Sequence, residues 1–103
     1  MTELQHGMSA QEVALVNALV ATWLPAREVR IFGSRARGTP KRYSDLDLVI
    51  MGDTLTPLGT LGQLQEAFAC SDLPWRVDVV DWANTAPEFQ RHIQTHSVPL
   101  SRL

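Results

Sequence analysis

Val13, Val16, Leu19, Val20 and Trp23 recur at the three- and four-residue spacing of one helical face, and Pro25 ends the run. The pattern predicts an amphipathic helix over about residues 10–24. Ser9-Ala10-Gln11-Glu12, at its start, has the form of a capping box, in which the serine oxygen accepts from an early N–H and the glutamate reaches back to the serine N–H. The period then changes. Glu28-Val29-Arg30-Ile31-Phe32 carries β-branched and aromatic residues up to Gly33, which suits a short strand running into a turn. Gly38-Thr39-Pro40 breaks the chain, and Leu46 to Met51 resumes as an apolar run suited to an inner strand.

Further along, Thr56-Pro57 has the form of an N-cap followed by proline at the first helical position, and Leu61, Leu64, Gln65 and Phe68 continue a helix to about Ala69. Gly59 and Gly62 weaken that helix. Arg76-Val77-Asp78-Val79-Val80-Asp81 reads as a third strand, and Thr85-Ala86-Pro87-Glu88 repeats the capping-box pattern ahead of a last helix through about His96. The element order α, β, β, α, β, α predicts an α/β (α+β) fold, a small β-sheet flanked by helices. A chain of 103 residues has room for one such domain, spanning 1–103.

Composition narrows the partners. With 45% hydrophobic and 19% charged residues the chain is far from the regime of disorder. A net charge of −2 gives no global attraction to nucleic acid, which is not an expected partner. Arg27, Arg30, Arg35, Arg37, Lys41 and Arg42 nevertheless fall in one short window, so a local basic patch could receive a small polyanion such as a nucleotide. Cys70 is the single cysteine, which favours a reducing compartment, and a small buried thiol is its expected state. No apolar run approaches the roughly 20 residues of a membrane helix, and the first residues lack the basic start of a signal peptide. The expectation is a cytoplasmic protein without membrane contact.

Candidate chemistry concentrates in Gly33-Ser34, ten intervening residues, then Asp45-Leu46-Asp47. Side chains alternate along a strand, so Asp45 and Asp47 share one face while Leu46, Leu48 and Ile50 take the other. On the third strand Asp78 and Val80 share a face, and Val77, Val79 and Asp81 the opposite one. Asp78 is therefore the candidate third carboxylate, with Asp81 at the strand end assigned to solvent or a turn. Magnesium needs few carboxylates because water and phosphate oxygens complete its octahedron, and phosphoryl chemistry commonly uses two ions. Asp45, Asp47 and Asp78 are the candidate catalytic and metal-binding set. Gly33 lets backbone approach a phosphate closely, and Ser34 adds a hydroxyl. Arg35 and Arg37 complete the candidate nucleotide-binding residues, although their spacing does not let both face one ligand from a helix.

Other residues carry weaker signals. His92 and His96 have zinc spacing without a third ligand. Trp23, Trp75 and Trp82 suit core or interface anchors, with Trp75 or Trp82 able to wall an adenine pocket. Tyr43 suits a turn residue packed beside the acidic pair, with self-modification as the sharper alternative.

In Gly33-Ser34-Arg35-Ala36-Arg37-Gly38, Ser44-Asp45-Leu46-Asp47-Leu48 and Val77-Asp78-Val79-Val80-Asp81 the chain resembles the minimal nucleotidyltransferase (MNT) family, small relatives of the catalytic core of DNA polymerase beta. The resemblance implies a mixed sheet of the polymerase-beta nucleotidyltransferase type, with two Mg2+ ions held by Asp45, Asp47 and Asp78. It places the phosphates of the substrate ATP near Gly33 and Ser34. Many such proteins are encoded beside a helical HEPN-type protein, and some pairs are toxin–antitoxin modules in which AMP is added to a tyrosine of the partner. The resemblance thus implies a hetero-oligomer. The chain is shorter than antibiotic-modifying nucleotidyltransferases, so the acceptor surface is expected from a second chain. The alternative reading is a nucleotide-binding module that inhibits a HEPN-type partner by complex formation without catalysis.

Overall fold

The capping box forms at the start of the first helix. Ser9 Oγ accepts from the Glu12 N–H at 3.1 Å and Glu12 Oε1 accepts from the Ser9 N–H at 2.8 Å, and α1 runs from Ala10 to Trp23. The computed structural model describes residues 6–41 and 43–103, so Arg42 of the basic window lies outside the described residues. After α1 come β1 (Val29–Phe32), the one-turn helix α2 (Gly33–Ala36), β2 (Leu46–Ile50), α3 (Leu58–Ala69), β3 (Val77–Asp81), α4 (Pro87–His96) and β4 (Val98–Pro99). Short 3-10 turns at Trp82–Asn84 and Leu100–Arg102 follow β3 and β4.

The strands form one mixed sheet in the order β3-β2-β1-β4. β1 is antiparallel to β2 and β4, while β2 and β3 are parallel. Parallel neighbours need a long crossover, and α3 supplies it. Leu46, Leu48 and Ile50 of β2, all fully buried, join Ile31 and Val79 on one sheet face against Val16 and Val20 of α1 and Leu64 and Phe68 of α3. On the other face Phe32 and Val49 meet Ile93 of α4, with Met51, Val80 and Trp82 packed around them. That α4-side face also carries Asp47 and Asp78, by the alternation of side chains along β2 and β3.

Three local expectations are corrected. Helix α3 begins at Leu58 with Pro57 as its N-cap, because Thr56 is drawn away. Its N–H and Oγ1 both donate to the Asp81 carboxylate, at 3.2 and 2.6 Å. Asp81 is accordingly buried and not turned to solvent: a desolvated carboxylate needs donors, and Thr56 provides two. The Thr85 capping box does not form either. Ala86 is the N-cap of α4 with Pro87 in its first turn, and Thr85 Oγ1 instead donates to the Trp82 carbonyl at 2.8 Å, closing the preceding 3-10 turn. Strand β4 is an addition to the expected order. It pairs through Val98 and Pro99 alone, and proline is tolerated there because this is a sheet edge. Among the described residues, no helix is long and apolar enough to cross a membrane.

Candidate active site

Gly33 joins β1 to α2 with φ of +74°, a left-handed conformation that favours glycine. Space requires glycine as well, because a Cβ at this position would collide with Asp47 Oδ2. The sheet register explains the contact. Phe32, immediately before Gly33, is the cross-strand partner of Asp47, and Asp47 is in turn the partner of Asp78 on β3. Directly paired residues point to one face, so the end of β1 at the Gly33 turn, Asp47 and Asp78 lie in a row across three strands. Asp45 stands exposed just before β2 begins.

The electrostatics follow from that row. Burial pushes the Asp47 carboxyl above the ordinary aspartate range, the nearby charges of Asp78 and Asp45 push it the same way, and Arg37 opposes them. Arg37 is exposed at the C-cap of α2, where its charge can meet an incoming anion. Asp78 Oδ1 accepts from Arg76 Nη2 at 3.2 Å. Among the described residues, no group of three or more His, Cys, Asp or Glu side chains forms a ready metal cage. His92 and His96, whose rings lie 4.9 Å apart on exposed positions of α4, gain no third ligand either.

Arg35 is a correction. Expected at the nucleotide, it is only 1% exposed. Its Nε and Nη2 donate to the Ser44 carbonyl at 3.2 and 2.8 Å, and its Nη1 to the His6 carbonyl at 2.9 Å. The guanidinium lies 4.4 Å from the centre of the Trp75 ring, a cation–π contact. Burial lowers its pKa, against the opposing charges of Glu12 and Asp45, and an arginine so held stays protonated. Arg35 therefore fastens the segment leading to Asp45 onto the N-terminal segment and the core. Trp75 is buried beneath it, and Trp82 packs against the α4-side core. Cys70 is exposed, contrary to the expected buried thiol, since it caps the end of α3. Tyr43 is 64% exposed beside the acidic pair.

A groove of about 530 Å³ opens next to Asp78, walled by Phe68, Ala69, Leu73, Trp75 and Arg76 among others. Arg76 is the site residue that the motif reading passed over. The available signal was its position two residues before Asp78 on a strand, which puts both side chains on one face.

Comparison with known proteins bears on this geometry. The polymerase beta nucleotidyltransferase family model matches residues 25–102. The "Probable protein adenylyltransferase MntA" of Haemophilus influenzae is 41% identical over 90 residues, which cover 87% of this chain and 79% of the relative. A crystal structure of a toxin–antitoxin with AMP-PNP superposes with a TM-score of 0.72 at 24% identity, over 85% of this chain and 71% of that one. A candidate minimal nucleotidyltransferase of known structure does so with a TM-score of 0.65 at 28% identity, over 84% and 89% of the two chains. With the family model spanning every strand of the sheet and a relative this similar over most of its length, the chain belongs to the polymerase beta nucleotidyltransferase family.

Proposed function

We propose that this enzyme moves AMP from ATP to a hydroxyl group of a partner protein, as the cytoplasmic antitoxin of a HEPN/MNT toxin–antitoxin pair whose other member is a helical HEPN-type protein. The observation that carries the reading is the register Phe32–Asp47–Asp78, which sets the Gly33 turn against one carboxylate and aligns a second beside it. The adenylyltransferase name of the Haemophilus influenzae relative and the toxin–antitoxin structure with AMP-PNP support the donor and the setting.

In this reading Asp45, Asp47 and Asp78 are the catalytic and metal-binding residues. The donor set fits Mg2+: the oxygens are hard and few, and Asp47 already feels the negative charge of both neighbours. Two bound Mg2+ ions would neutralise the triphosphate and stabilise the attacking and leaving oxygens. Gly33 lets the backbone close on the phosphates, Ser34 donates its hydroxyl to a phosphate oxygen, and Arg37 offsets phosphate charge from the end of α2. The acceptor oxygen bonds to the α-phosphorus as the bond to the β-phosphate oxygen breaks. Pyrophosphate leaves, and the hydroxyl proton passes to water. Positioning the acceptor within roughly 3–3.5 Å of phosphorus falls to the partner that carries it.

The test is to isolate the chain together with the protein that copurifies from its native cell, and to supply ATP labelled at the α-phosphate with Mg2+. Label on the partner, absent with Asp47→Asn, is the expected result. A partner that binds tightly yet never takes up label would overturn the transfer reading and leave inhibition by complex formation.

A further inference from the structure

Arg76 is exposed at the mouth of the groove, on the residue that leads into β3. Its carbonyl accepts from the Leu46 N–H at 2.8 Å, so the β2–β3 ladder extends to Arg76 and fixes where its side chain departs. Two residues on, the Asp78 carboxylate receives the Arg76 guanidinium at 3.2 Å. We propose that Arg76 is the built-in counter-ion of Asp78, displaced when a divalent cation enters, and that it thereby sets how much metal the site requires. The inference rests on the reading of Asp78 as a metal ligand.

The reasoning is one of charge and strength. Asp45 and Asp78 crowd the Asp47 carboxylate, and the three together need positive charge when the protein carries no cation. Arg37 supplies it at Asp47, and Arg76 at Asp78. An arginine kept for structure would be buried and multiply bonded, as Arg35 is with its three donated bonds and its aromatic platform. The Arg76–Asp78 pair has the opposite character. Its side chains are 78% and 45% exposed and share a single contact, and such pairs are weak because water and salt screen them. A weak pair keeps Asp78 compensated in the free enzyme and yields to a doubly charged ion. The displaced guanidinium stays at the groove, since its backbone is held in the ladder.

Binding of Mn2+ alone to the full chain, followed by electron paramagnetic resonance, tests the proposal. Arg76→Gln is expected to tighten Mn2+ binding about two- to fivefold, the scale of a surface ion pair, while Arg76→Lys stays near wild type. Asp78→Asn is expected to weaken binding, and adding Arg76→Gln to it should change nothing more. In melting experiments, Mn2+ should raise the Tm of Arg76→Gln more than that of wild type. Unchanged or weaker Mn2+ binding by Arg76→Gln would overturn the counter-ion role. If that variant instead lost affinity for ATP, Arg76 would be a phosphate contact and the proposal would equally fall. Failure of the underlying reading looks different: Asp78→Asn would then bind Mn2+ as well as wild type.

Discussion

Burial and the carboxylates of Asp78 and Asp45 hold the Asp47 carboxyl above its ordinary value of 3.8, so the folded chain binds that proton more tightly than the unfolded chain does. For an acid raised in this way, stability is fullest with the group protonated and declines as pH rises through the window between the unfolded and folded values. Asp47→Asn removes the repulsion. In buffer with a metal chelator it should melt above wild type at neutral pH, and the gap should close as pH falls through the aspartate range. The same variant should lose AMP transfer. A lower melting temperature at neutral pH would show that Asp47 contributes to the fold. Gly33 belongs to the same argument, because the space its missing Cβ leaves is filled by Asp47. The Gly-Ser and Asp-x-Asp signals were thus legible one by one, whereas their mutual contact depends on a cross-strand register. Arg35 and Arg37 mark the limit of that legibility. Two arginines two apart look alike in sequence, and what takes Arg35 into the core is the Trp75 ring, forty residues along the chain, together with the carbonyls of His6 and Ser44.

At the scale of elements, β3 carries two aspartates with separate duties. Asp78 is level with Asp47 on the α4-side face, and Asp81, three residues on, points to the other face and ties down the segment before α3 through Thr56. Arg27 reinforces that segment by donating to the carbonyls of Met51 and Thr54 at 3.0 and 2.9 Å. Thr56→Val, which strips the hydroxyl from a buried carboxylate, should cost about 1–3 kcal/mol in denaturant unfolding and leave AMP transfer per folded molecule intact. Asp78→Asn should do the reverse. Equal activity losses in the two variants would contradict the division between the faces. Periodicity made α1 and α3 legible, because each buries an apolar stripe, and apolar, β-branched runs did the same for β1, β2 and β3, whereas α4 buries only Ile93 and was legible through the turn signal and proline ahead of it. The caps of α3 and α4 were not, since Thr56 and Thr85 satisfy other partners. Strand β4 was not either: two residues give no period.

For the whole molecule, the basic window of the sequence separates into different fates. Arg27 is engaged with backbone carbonyls, Arg30 pairs with Glu28 at 2.8 Å, and Arg35 is in the core. Arg37 and Lys41 remain exposed on the α2 side of the site. Arg37 acts on the Asp47 carboxyl, so Arg37→Glu should weaken ATP binding directly. Lys41 opens the turn that leads to Asp45, its N–H donating to Ser44 Oγ at 2.8 Å and its carbonyl accepting from the Ser44 N–H at 3.1 Å. Its side chain is exposed, and under the proposed function it stands close in sequence to Asp45, where a docking partner would meet it. Rim charges steer encounter more than they hold the finished complex. Lys41→Glu should therefore lower the association rate with the partner by about tenfold at low ionic strength and leave dissociation and ATP affinity near wild type. Because such a charge acts through screened solvent, the difference should shrink as salt is raised. Stopped-flow association at several salt concentrations checks it, and an association rate indifferent to both the charge and the salt would place the partner's approach on another face of the molecule.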